Sequence, residues 1–230
     1  MDTADIITRS GRREAGGRRG SRALTALCVL GSGLFAFMLG GTALELVREQ
    51  LHHNCGMQPP SSEGAGTWIC IDGIGYLGIA GILGIMWLVA LVVGSLIALL
   101  VRHDRPARLA LVLLAALSTA WILGLTWYGS STHVQDEYAP MTGAGYWLDA
   151  VGPAALVSVI GVMIGLLSLM PTGPLSWILG IVATVLLIVA TALQPGLSIN
   201  LIPAVGALAA AAVRGISSGE PAMKRPRTFA

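Results

Sequence analysis

The residues able to do chemistry gather in two polar stretches. Residues 51–70, LHHNCGMQPPSSEGAGTWIC, hold two of the chain's three cysteines, Cys55 and Cys70, with His52 and His53 just before the first. Residues 130–149 add His133, Asp136 and Glu137, and Glu45 stands shortly ahead of the first stretch. Imidazole, thiolate and carboxylate together suit zinc or copper. A histidine or carboxylate within reach of a substrate proton would serve as a general base. Two cysteines in one short loop suit a disulfide instead, provided that the compartment is oxidising. Which of these applies depends on where the loops lie, and the elements that carry them decide that.

Of 230 residues, 54% are hydrophobic and 11% charged, against about 25% charged in ordinary soluble domains. The apolar residues lie in long blocks rather than at a helical or strand period, the pattern of membrane spans. The blocks are 23–44, 74–101, 109–129, 150–170, 177–193 and 197–213. At 1.5 Å per residue the first makes roughly 33 Å of helix, enough to cross a hydrocarbon core of about 30 Å. The second is longer than a perpendicular crossing needs and would tilt. The expected fold class is all-α, a polytopic membrane protein with about six transmembrane helices in one bundle. Outer loops cover 45–73 and 130–149, a basic disordered arm covers 1–22, and a basic tail covers 214–230. Asp149 is placed to cap the fourth span, with Pro153 in its first turn. The last two blocks are short, and the sixth contains Asn200 and Pro203. The alternative is therefore four crossings followed by a re-entrant or interfacial hairpin. Gly41 and Ala43 also have the small-residue spacing of a signal-peptidase site, and cleavage there would leave five spans.

Charge sets the orientation. With six crossings and the N-terminus inside, thirteen of the fourteen Lys and Arg residues face the cytoplasm, and only Arg48 is outside. Five acidic residues are inside, while seven are outside: Glu45, Glu49, Glu63, Asp72, Asp136, Glu137 and Asp149. This lysine and arginine bias predicts cytoplasmic N- and C-termini. The basic tail stays inside only if the last two blocks both cross or neither does. Trp127, Tyr128, Tyr146 and Trp147 mark the outer interface and Trp177 the inner one, and Trp87 and Trp121 read as mid-span packing residues. The abundance of Arg, Ala, Gly and Leu points to a GC-rich bacterial genome, and hence to a bacterial cytoplasmic membrane.

The first outer loop then lies where thiols oxidise, and the expected pairing is Cys55 with Cys70. Closing a loop of this size contributes about 3 kcal/mol in the chain-entropy treatment. A metal site from His52, His53 and His133 is disfavoured. Adjacent histidines on a helix point about 100° apart, and the disulfide would remove Cys55 as a ligand. No cofactor is expected. Cys28, within the first span, reads as a packing residue.

None of the six span cores contains Asp, Glu, Lys, Arg or His. Ionisable groups at that depth are expensive and kept for function. Their lack argues against a proton pump, a carboxylate-coupled transporter and a voltage sensor. Small residues recur every four positions: Cys28, Ser32, Ala36 and Gly40; Ala90, Gly94 and Ala98; Ala116, Ala120 and Gly124. Gly161 and Gly165 form a GxxxG. Such faces let helices approach closely, here read as packing within one bundle. Asn200, Ser118 and Thr119 are the candidates for lining a polar cavity. The expected partners are the lipid bilayer and other membrane proteins or further copies of the chain, not nucleic acid. The expected function is a non-enzymatic structural or accessory component of a membrane assembly. The alternatives are a carrier or channel for a small neutral or cationic solute, and an outward-facing membrane enzyme using Glu45, His52, His133, Asp136 or Glu137.

Overall fold

The computed structural model describes residues 3–70, 74–133, 137–171 and 173–218. The first helix, α1, runs Thr3–Met38 and is followed by α2, Gly40–Glu45, and a π-helical turn over Leu46–Gln50. Two short strands, β1 (Cys55–Met57) and β2 (Trp68–Cys70), pair antiparallel as a hairpin. The remaining helices are α3 (Ile74–Leu100), α4 (Asp104–His133), α5 (Gly143–Ala150), α6 (Gly152–Leu167), α7 (Pro174–Leu193) and α8 (Ser198–Ser218). A 3₁₀ turn over Pro195–Leu197 joins the last two.

Four helical segments are long and apolar enough to cross a membrane: Gly75–Leu100, Asp104–Thr132, Pro174–Leu193 and Pro195–Gly215. Two bent pairs pass the same test together, Arg22–Met38 with Gly40–Gln50 and Gly143–Ala150 with Gly152–Leu167, which gives up to six spans. The apolar blocks thus correspond to helices, but the first and fourth are not straight. The first bends by 52° and the fourth by 63°. At the first bend, Thr42 Oγ1 lies 2.8 Å from both the Leu39 and Pro195 carbonyls. Groups freed by the break are thereby satisfied across the chain. At the second bend, Val151 is the N-cap of α6 and makes no side-chain cap. Asp149 lies inside α5 and is exposed, so the expected Asp149 cap does not form. Thr142 caps α5 instead, accepting from the Gly145 N–H at 3.2 Å.

Helical backbone also begins earlier and ends later than the blocks. It starts at Thr3, within the arm expected to be disordered, because a helix already nucleated adds residues at little cost. The charged turn expected over 102–108 shrinks to three residues, with Asp104 opening α4. At the far end α8 continues to Ser218 and takes in Arg214.

The hub of the bundle is α8, which packs against α1, α4, α7 and α3. Alanines and glycines make this approach possible. A Cβ at Gly206 would collide with Ser32 of α1. A Cβ at Gly165 of α6 would lie 3.1 Å from Leu208, and one at Gly180 of α7 3.3 Å from the Ala212 Cβ. The large residues Leu27, Phe35, Ile85, Leu88, Leu156 and Ile188 point outward from the surrounding helices. In water such a surface would be an aggregation patch; against lipid it is the expected perimeter.

Candidate functional site

The polar residues of the first loop fold into a cap. Cys55 and Cys70 face each other in the hairpin register, and their sulfurs stand at disulfide distance, 1.99 Å. The hairpin follows a sharp reversal in which His52 (φ 50°) and Asn54 (φ 57°) adopt left-handed backbone, a conformation that Asn tolerates better than most residues. The two histidines are therefore not on a helix, and their rings go to different neighbours. His52 stacks on Trp68 at 4.1 Å between ring centroids and lies 4.9 Å from Tyr146. Burial pushes its pKa down, partly offset by a backbone hydrogen bond at Gln50. His53 is buried under α4, with Nε2 3.2 Å from Ser130 Oγ. Its carbonyl accepts the Tyr76 hydroxyl at 2.7 Å. A Cβ at Gly129 would collide with its imidazole, which is why the ring can lie flush on α4.

Other candidate ligands and bases lie on other elements. Glu45 closes α2 and Glu137 follows α4, and both are exposed. His133 ends α4, while Asp136 lies outside the described residues. Among the described residues, no group of three His, Cys, Asp or Glu side chains could hold a metal ion.

A neutral junction holds the cap end of the bundle together. Gln194 is buried between α7 and α8. Its Nε2 donates at 2.8 Å both to Gln50 Oε1 and to the Ala150 carbonyl, and its Oε1 accepts from the Gly196 N–H at 3.3 Å. One amide thus clips the π-helical turn, the α5–α6 elbow and the α7–α8 turn. Beneath the cap, a cavity of about 340 Å³ is lined by Val47, His53, Ile79, Leu83 and Thr126, among others.

In the bundle centre, Asn200, Ser118 and Thr119 are all buried. Asn200 Nδ2 donates to the Leu83 carbonyl of α3 at 3.1 Å, and Ser118 Oγ of α4 donates to the Asn200 carbonyl at 2.8 Å. Thr119 turns back to its own helix and donates to the Ala115 carbonyl at 2.9 Å. The first two tie three helices together, and none of the three lines the cavity beneath the cap. Asn200 Oδ1 has no hydrogen-bond partner.

Most of the small-residue faces lie between helices. Ala36, Ala90, Gly94 and Ala98 are buried. A Cβ at Gly94 would lie 2.9 Å from Val29 of α1, and one at Gly161 would lie 3.2 Å from the Leu186 Cβ of α7. Ser32 donates to the Val29 carbonyl of its own helix at 2.9 Å. Gly40 starts α2, just past the bend, and is half-buried. The stripe of Ala116, Ala120 and Gly124 differs: Ala120 and Gly124 are exposed, and α4 buries Ala107, Leu111, Ala115, Ser118 and Ile122 instead. Of those residues Ser118 meets α8 at the Asn200 carbonyl, and a spacing of three and four tracks the buried side of the helix better than a strict four.

The end of the bundle opposite the cap carries a feature that charge counting misses. Arg214 is 1% exposed. It donates to the Ala98 carbonyl at 2.6 Å, to the Val101 carbonyl at 3.1 Å and to Asp104 Oδ1 at 3.2 Å. It closes the C-terminus of α3 and the N-terminus of α4 against α8. Its position at the end of an apolar block gave the only signal, and the same position fits a solvated tail residue equally well. Arg108 donates to the Ser168 carbonyl at 3.2 Å and to Ser176 Oγ.

By length and composition, the helices are those of a multi-pass membrane protein. No protein-family model, curated protein or solved structure matches the chain, and its function must be read from its own geometry.

Proposed function

We propose that the chain is a non-enzymatic structural or accessory component of a membrane assembly, crossing a bacterial cytoplasmic membrane six times with both termini inside. The observation that carries this reading is the filled centre. Over Pro195–Gly215, 78% of the most apolar stretch is buried inside the protein. The polar groups there join helices to one another, which supports a scaffold over a path. The charge bias supports the orientation, and the Cys55–Cys70 pair suits an oxidising outer space.

Purification from the host in mild detergent, followed by mass spectrometry, is expected to recover a stoichiometric membrane partner. A homogeneous chain without one would overturn the assembly role. For the orientation, a cysteine placed at Ser61 should react with an impermeant maleimide on intact cells, and one at Arg105 should not. Reversed labelling would reject the topology.

The outer cavity favours a second reading, a carrier or channel for a small neutral or cationic solute attracted by acidic outer loops. Leu83 lines that cavity and also accepts the Asn200 amide, so the floor of the cavity is the central tie. Solute uptake by proteoliposomes carrying the purified chain would favour this second reading over the scaffold.

A further inference from the structure

Two arginines at the inner end of the bundle are satisfied in different ways. Arg214 has a carboxylate partner in Asp104. Arg108, half-buried between α4, the α6–α7 turn and α8, has only the neutral oxygens of Ser168 and Ser176. Its Nε is buried and without a hydrogen-bond partner. Among the described residues, no carboxylate pairs with it. Withdrawing a guanidinium from water without a counter-charge is costly, and a fork of five donors suits a planar array of anionic oxygens.

The surroundings indicate where that anion comes from. Arg105 lies three residues before Arg108, on the same helix face, and is exposed. Leu109 follows Arg108, Leu175 and Trp177 flank Ser176, and Met170, two residues beyond Ser168, is 80% exposed. An anion bound here would have apolar side chains pointing outward beside it, at a level marked by an interfacial Trp. Free phosphate has no use for such a flank, whereas a lipid headgroup brings acyl chains to it. We propose that Arg108, with Arg105, binds the phosphate of an anionic phospholipid. The site needs the first turn of α4 to lie at a headgroup layer, but it does not depend on the assembly role or on which layer that is.

The test is native mass spectrometry of the full chain in detergent micelles, which have no sides and so leave the topology out of the result. Phosphatidylglycerol and phosphatidylcholine with identical chains compete for binding. The wild type is expected to prefer phosphatidylglycerol, and Arg108→Gln to lower its retention about fivefold and that of phosphatidylcholine, whose phosphate is offset by its own ammonium, by less. Arg108→Lys should fall between the two, since it keeps the charge but loses the fork. Arg105 makes no hydrogen bond among the described residues, so Arg105→Gln tests the site without disturbing the Ser168–Ser176 contact, and a smaller loss in the same direction is expected. A large excess of inorganic phosphate should not displace the lipid. Equal retention of the two lipids by the wild type would overturn the proposal. So would Arg105→Gln retaining phosphatidylglycerol in full, or displacement by phosphate, which would make this a free-anion site.

Discussion

Helices α8 and α3 are both long enough to cross a membrane, yet they meet different surroundings. Within their most apolar stretches, 78% of α8 is buried inside the protein and 28% of α3. The residues differ in size more than in polarity. Across its middle α8 reads AVGALAAAAV, and α3 reads ILGIMWLVALVVG. Lipid accepts large branched side chains at no packing cost, whereas a helix surrounded by four others must be thin. The short, small-residue block that looked least like a span is therefore the centre of the bundle. Low hydropathy in a membrane chain can mean burial in protein rather than a failure to insert, and the Asn200 tie is affordable in α8 because α3 and α4 supply its partners.

Four unfolding measurements in detergent and one acidification of the cap would break or sharpen this contrast, from the largest effect down. Arg214→Met should destabilise the chain by about 3 kcal/mol, because it leaves Asp104 and the carbonyls of Ala98 and Val101 without their donor; an unchanged unfolding midpoint would show that this end of the bundle holds without the clamp. Gly206→Ala should cost about 2 kcal/mol through overpacking against Ser32. Its counterpart on the perimeter, Gly84→Ala, meets open space and should be neutral or stabilising by up to about 1 kcal/mol. If both substitutions behave alike, the distinction between centre and perimeter fails. Asn200→Leu should cost about 0.6 kcal/mol, the typical worth of an interhelical hydrogen bond in a membrane protein. The smallest effect is expected at the cap. The His52 pKa is lowered in the folded state, so folded protein binds fewer protons than unfolded protein once pH falls below the ordinary value of 6.5. The His52 contribution is present above that value and is lost as pH falls through the folded pKa. Trp68 fluorescence should report a slight loosening of the cap on acidification, absent in His52→Phe, while the α8 core stays unchanged.

The helical, membrane-spanning character of the chain and the Cys55–Cys70 pair were legible because each depends on composition or on partners close in sequence. The two bends were not. They depend on distant groups, such as Pro195 at Thr42, and a run of apolar residues looks the same whether straight or broken. The hairpin left only faint traces, two short segments around the cysteines. Arg214 counts as a tail charge under an orientation rule that does not ask what each arginine touches. Asp149 had the right residue type for a cap but sat inside the preceding helix, where its side chain cannot reach the new N-terminus.

The Gln194 junction has one further consequence. Its bonds run between neutral amides, so neither acidity nor dissolved ions should weaken them, whereas the opposite end of the molecule relies partly on an ion pair that electrolyte screens. Brine and freshwater should therefore leave one end equally well fastened and the other measurably different, and any salt-dependent loosening of this protein should begin where Arg214 meets Asp104.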